Sequence, residues 1–275
     1  MRRPLLTVLL LAYNHEATAE RAIMSVIKQK TNYDYEVWIL EDCSTDGTLA
    51  ICEKYAKMYP DRIKLIAQPR NTKMKHILWA RKKITTKYFT TLECDDEWCD
   101  EGKIQEAISF LETHPEYVIF AHDTQYNDHS NKTKKSLVHD IHGIDDLSGK
   151  ITFEDAPYIH NSARIYRKVI DFKKRPIMGD VYTYYAFLGE GPMHYCDKIM
   201  SIYNITGQGA WSHLSAGEQR KRTERANYKS NKLLGFRQDK FFTERAMNKN
   251  LLIKLKRTFG TRIGWRLYLI TNKNT

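Results

Sequence analysis

Residues 91–100, TLECDDEWCD, place five carboxylates in ten positions: Glu93, Asp95, Asp96, Glu97 and Asp100. Carboxylates this close repel one another, and ionising them together is costly unless a cation neutralises them. A hard divalent cation takes oxygen ligands. Mg2+ or Mn2+ is typically held by one or two carboxylates plus substrate phosphates. Glu97, Asp100 and Glu101 are explained by a solvated turn capping a helix that starts near Gly102. Asp95 and Asp96, directly after an apolar run, are not. A second polar stretch, EDCSTDGT at 41–48, sets Glu41 and Asp42 ahead of Ser44 and Thr45. The hydroxyls suit helix capping. The carboxylates ahead of the cap suit a hydrogen bond from a nucleobase N–H.

These groups need a scaffold, and the hydrophobic pattern supplies one. Apolar, β-prone runs predict strands over 5–12, 36–40, 63–67, 87–92 and 117–121. Amphipathic stretches predict helices over 16–30, 44–58, 74–83 and 102–114. Strands alternating with helices imply an α/β fold with a mostly parallel sheet, whose ligands bind beyond the carboxyl ends of the strands. The segments YNHE, EDCSTD and ECDDE fall at those ends. Residues 124–150 are polar and weakly periodic and read as a long surface loop.

Composition bounds the rest. Of 275 residues, 42% are apolar, enough for a sizeable core. The net charge of +11 is uneven: residues 218–275 hold 16 Lys/Arg against 4 Asp/Glu, and residues 1–217 hold 28 against 29. A nearly neutral body with a basic helical tail suggests a polyanionic surface as partner. The five cysteines form no CxxC pair, which fits a reducing cytoplasm. The apolar start reads as a buried first strand rather than a signal peptide, because YNHEAT offers no small-residue cleavage site.

Three blocks in order carry a family resemblance: LLLAYNHEATAERAIMSVIKQ, EVWILEDCSTDGTLAI and TTLECDDEWCDEGKIQEAISFLETHPEY. They resemble the successive motifs of family 2 glycosyltransferases over roughly the first 120 residues. The resemblance implies a GT-A fold: a Rossmann-like, mostly parallel sheet flanked by helices, with a nucleotide-sugar-binding half over 1–123 and an acceptor-binding and catalytic half over 151–217. It implies that Ala12 and Tyr13 flank the nucleobase and that Asp42 binds its edge, with uracil expected. It gives Asp95 the ribose and metal side of the donor, and makes Asp96 a further ligand of Mn2+ or Mg2+. Glu93 takes the first place of a DXD-type motif, which leaves open which carboxylate touches the metal.

The family's N-x-G-x-x-x-ARN block is here NTKMKHILWARKK. Arg81 survives, either as a diphosphate contact or as a surface helix arginine. In PIMGDVYTYYAFLGEG, Asp180 stands where the family carries its catalytic base, 85 residues beyond Asp95; the alternative is a simple N-cap. His213, in the closing block IYNITGQGAWSHLS, is a candidate metal or pyrophosphate contact. His160 and Asn161 are candidate acceptor contacts.

The implied activity is inverting, metal-dependent transfer from a nucleotide sugar, a UDP-sugar being expected, to a hydroxyl of a glycan or lipid-linked acceptor in bacterial surface polysaccharide synthesis. The tail segment 250–270 spaces Leu252, Leu255, Phe259 and Ile263 helically among basic residues. That suits either an interfacial helix on an anionic membrane or packing on the body. The expected location is cytoplasmic, either free or peripheral on the inner face of the membrane. Two other classes fit less well. A sugar-1-phosphate nucleotidyltransferase carries a glycine-rich loop where YNHEA stands. A nucleic-acid-binding protein does not need acidic strand ends, and the tail shows no recognisable module.

Overall fold

The computed structural model describes residues 3–128, 135–141, 149–152, 156, 157, 159–174, 177, 179–205, 215, 217 and 218. The chain divides into two units, Met1–Leu214 and Ser215–Thr275. Of the second, the described residues show Ser215 Oγ donating to Glu218 Oε2 at 2.7 Å and accepting from Glu218 N. The tail segment 250–270 and His213 lie outside the described residues.

The first unit opens with β1 (Leu6–Ala12), α1 (Ala19–Ile27), β2 (Tyr35–Glu41), α2 (Thr48–Met58), β3 (Ile63–Ala67), α3 (His76–Lys83) and β4 (Tyr88–Glu93). The strands run parallel in the order β3-β2-β1-β4. β1 is buried at every position because both faces of a parallel sheet are covered. Ala19, Ala22, Ile23 and Val26 form the buried stripe of α1, at the spacing of one helical face.

β5 (Glu97–Trp98), α4 (Lys103–Thr113), β6 (Ile119–Asp128), β7 (Lys135–Ser136), β8 (Gly149–Ile151), β9 (Arg164–Arg167), α5 (Asp180–Leu188) and β10 (Met193–Ile205) complete it. β9 runs antiparallel between β4 and β6. β10 pairs parallel with β6 and antiparallel with β5 and β8. The α/β reading holds, and the mostly parallel sheet gains antiparallel members in its second half.

Two expectations need correction. Helices α1 and α2 start three or four residues later than the pattern predicts, because their polar leading residues build interlocked loops instead. The expected loop over 124–150 is partly sheet and core. β6 continues to Asp128, and a π turn follows β7 at Leu137–Ile141. Leu137 and Val138 are buried, as are Asp123 and Thr124. The Asp123 carboxylate accepts from Thr124 N, Val138 N and Ser136 Oγ, which satisfies this buried charge within the protein. No described helix is long and apolar enough to cross a membrane.

Register brings the site together. Ala12 lies opposite Glu41, and Leu11 lies opposite Glu93. The carboxyl ends of β1, β2 and β4 therefore stand side by side. On the far side, Gly179 has φ +91 and ψ 146, a conformation that L side chains rarely adopt. It turns the chain so that Asp180 becomes the first residue of α5. Gly179→Ala is expected to cost about 1–3 kcal/mol, read as a lower denaturation midpoint at unchanged slope.

Candidate active site

The loops after β1 and β2 are built from each other. Asn14 N donates to Ser44 Oγ at 3.0 Å, and Thr45 N donates to Asn14 Oδ1 at 2.8 Å. His15 N donates to Thr48 Oγ1 at 2.7 Å. Asp46 accepts from Thr48 N on one oxygen and from Glu16 N on the other. A Cβ at Gly47 would lie 2.6 Å from Glu16 Oε1, so the Glu16 side chain would have to shift to admit one. Glu41 is fully buried and accepts from Cys43 N and Ser44 N. The STDGT stretch thus serves an inter-loop clasp more than a simple helix cap. Ala12 is buried beneath it, and Tyr13 is half-buried at its rim.

Asp42, expected at the base edge, is engaged within the protein. Its side chain is buried, and both oxygens are engaged: Oδ1 by Thr72 N and Thr72 Oγ1, Oδ2 by Met74 N at 2.7 Å. His76 Nδ1 lies 3.2 Å from Oδ1. Burial works to raise the Asp42 pKa, but the bonds from Met74 and Thr72 outweigh it and hold the carboxyl below its ordinary value. In this conformation Asp42 organises the loop before α3, where Lys73 and Met74 both take positive φ. Arg70, Asn71, Thr72, Lys73 and Lys75 line a cavity of about 510 Å³ there.

The acidic cluster after β4 is tight. Ligand atoms of Glu93, Asp96 and His160 lie within 4.8 Å of one another. Asp95 Oδ1 and Asp96 Oδ2 are buried with no hydrogen-bond partner. Burial, then the Asp95 and Asp180 charges, push Glu93 up to about 8. Burial, then Asp95 and Glu93, push Asp96 well above the carboxylate range. Orphaned carboxylate oxygens that repel one another fit a divalent cation. One imidazole beside the oxygens suits Mn2+ at least as well as Mg2+. Burial, then the Arg164 charge, lowers His160 to about 3, so its ring is neutral. A second group, Asp123, His139 and Asp197, also clusters. Its His139 Nε2 already pairs with Asp197 Oδ1 at 2.7 Å.

The Asp180 charge contributes to the upward shift of Glu93, and Asp180 Oδ2 lies 4.0 Å from Arg164 Nη2. Asp180 is not the N-cap of α5: that place is Gly179's, with no side-chain cap. Arg81 is not a surface arginine. It is 3% exposed, and Nη1 donates to Ile177 O and Thr183 Oγ1, each at 2.8 Å. It ties α3 to α5 through Nη1, while its Nε is buried without a partner. The α5 aromatics Tyr184, Tyr185 and Phe187 are core, as their type predicts.

Several site residues went unflagged or were given another role. His15 Nε2 lies 3.9 Å from Asp95 Oδ2; its place directly after YN was a usable signal. Asn204 N donates to Asp96 Oδ1 at 3.1 Å, and Asn204 Nδ2 donates to Asp95 O at 3.0 Å. The Tyr203 ring packs tilted against His160, with centroids 4.4 Å apart. His160, expected on the acceptor side, sits against Asp96, with Nδ1 3.7 Å from Oδ2. Arg164, inside IHNSARIYR, is wholly buried.

The fold is an α/β sheet with a carboxylate cluster at its central strand ends. The glycosyl transferase family 2 model matches residues 7–173, and the chain belongs to that family. It is 26% identical over 223 residues to the uncharacterized protein Rv1520 of Mycobacterium tuberculosis, covering 78% of this chain and 63% of that one. It is 31% identical over 116 residues to the putative glycosyltransferase EpsE of Bacillus subtilis, covering 42% and 41%. The chain thus spans less than two thirds of these relatives. The fold matches mannosyltransferase PcManGT of Pyrobaculum calidifontis, solved with GDP-Man and Mn2+: TM-score 0.61, 16% identity, 83% of this chain and 62% of that one. It also matches S. aureus TarS 1-349, solved with UDP-GlcNAc: TM-score 0.59, 17% identity, 82% and 66%.

Proposed function

We propose that this chain transfers a sugar, with inversion, from a nucleotide-sugar donor to a hydroxyl of a glycan or lipid-linked acceptor in polysaccharide synthesis. The observation that carries the reading is the pair of orphaned oxygens, Asp95 Oδ1 and Asp96 Oδ2, at the grouping of Glu93, Asp96 and His160. Glu93, Asp95, Asp96 and His160 would hold Mn2+ or Mg2+, which when bound supplies positive charge for the diphosphate leaving group. The clasped loops 13–16 and 43–48 form the floor for the nucleoside. Tyr13 at the rim is the residue offered to the base. Asp42 reaches the base only if Thr72 and Met74 release it.

An acceptor hydroxyl is a poor nucleophile, and Asp180 takes its proton as it attacks the anomeric carbon. Attack from the face opposite the diphosphate turns an α-linked donor into a β-linked product. Holding donor and acceptor in line is the main contribution of the surrounding side chains. We place the enzyme at the cytoplasmic face of the membrane, where the basic segment 250–270 meets anionic lipid.

The test is thermal denaturation with UDP, GDP and CMP, with and without Mn2+. UDP at about 100 times its Kd should add about 2.7 kcal/mol, and only when Mn2+ is present. Equal shifts with and without metal would remove the metal from the reading. No nucleotide response at all would remove the donor.

A further inference from the structure

Arg164 is an arginine with no exposed surface. Its donors are shared among three partners. Nε donates to His160 O at 3.2 Å, Nη2 to Asn161 Oδ1 at 3.2 Å, and Nη1 to Asp180 O at 3.3 Å. Nη2 also lies 4.0 Å from Asp180 Oδ2. The guanidinium sits over the Tyr184 ring at 4.8 Å, on α5. Its own carbonyl accepts from Thr90 Oγ1 at 2.7 Å, on the strand that ends at Glu93. One side chain therefore touches the loop before β9, the first turn of α5 and, through its backbone, the strand bearing the acids.

A wholly buried guanidinium is costly unless it is paired and its donors are satisfied. Its planar fork can serve three partners in fixed directions, which an ammonium cannot. Its charge also acts on Glu93, in the sense that favours the ionised form.

We propose that Arg164 is the positioning residue of the transfer reaction: its fork holds Asp180 toward the acceptor hydroxyl and fixes Asn161 and the His160 carbonyl in one rigid group. This rests on the reading of Asp180 as the base. Arg164 touches no reacting atom itself. Its Nη1 anchors the Asp180 backbone carbonyl and its Nη2 stands 4.0 Å from the Asp180 carboxylate, so both the main chain and the charge of Arg164 bear on where Asp180 sits. The acceptor-side loop and the base then move together.

The experiment uses the full chain and follows UDP release from UDP-sugars over pH, with UDP–Mn2+ thermal shift as a readout independent of turnover. Arg164→Met should lower kcat by roughly 10²-fold, in the range of lost acid–base catalysis, with a UDP–Mn2+ shift still present but reduced, because Arg164 also holds the His160 carbonyl and its charge acts on Glu93. Its acidic limb should move to higher pH, because the neighbouring cation is gone. Arg164→Lys keeps the charge and loses the fork: the limb should stay in place while kcat falls less than in the Met variant. A folded Met variant with an unmoved limb overturns the proposal. If the Met variant does not fold, the Lys variant decides: a shifted limb, or wild-type kcat, overturns it. Asp180→Asn is read alongside. Turnover retained in that variant sinks the base reading, whereas an inactive Asp180→Asn with an unmoved limb in Arg164→Met sinks the positioning role alone.

Discussion

Asp180→Asn is expected to reduce sugar transfer by roughly 10²–10⁴-fold, the usual weight of a general base, and to leave UDP binding intact. Asparagine is isosteric and keeps the backbone carbonyl that Arg164 Nη1 contacts. It cannot accept a proton. Since Gly179 rather than Asp180 caps α5, the helix should keep its start, and the melting temperature should change little. Initial rates at saturating donor, set beside UDP thermal shifts, separate the two effects. Full turnover in the variant would remove Asp180 from the chemistry. Lost UDP binding would mean that it serves the donor instead.

The second large effect concerns stability against pH. Glu93 is raised from 4.5 to about 8 in the folded chain, first by burial and then by Asp95 and Asp180. Asp96 is raised as well. A carboxyl raised on folding holds its proton in the native state while the unfolded chain has lost it. The unfolded state then binds fewer protons, so stability falls as pH rises. For Glu93 the contribution is fully present below about 4.5 and is lost as pH approaches 8. The metal-free protein should therefore weaken across that window, and Mn2+ should restore it increasingly toward pH 8, because metal binding displaces those protons. Asp96→Asn should flatten the metal-free profile, stabilise the chain at pH 8 and abolish the Mn2+ response. Urea denaturation at pH 5, 6.5 and 8 checks this. A flat wild-type profile with no Mn2+ effect would show that the acids are not coupled to a cation.

What was legible in the sequence follows from range. The strand ends, the acid cluster and the Gly-Asp pair are local patterns, and each sits where its pattern places it. β1 is buried at all positions, as its unbroken apolar run demands. What stayed hidden depends on distant partners. Asp42 reads as a free carboxylate until Thr72 and Met74, some thirty residues on, close over it. Arg81 reads as a surface arginine because α3 carries Lys82 and Lys83 beside it; only the packing of α5 explains its burial. His160 and Arg164 lie in a stretch with no periodic signal, and their roles come from the placement of β9 between β4 and β6. The segment after Asp123 looked like a loop because its polar residues bond one another inside the protein.

Asn204 holds Asp95 and Asp96 across 108 residues of chain. The acids at the end of β4 are thus made early on the ribosome and framed last, when β10 arrives. Long-range pairing of this kind is slow because a large loop must close first. A nascent chain ending near residue 123 would carry every motif of the nucleotide half, yet β9 and β10 would be missing from its sheet. The frame around these acids should therefore be complete only once β10 has paired with β6.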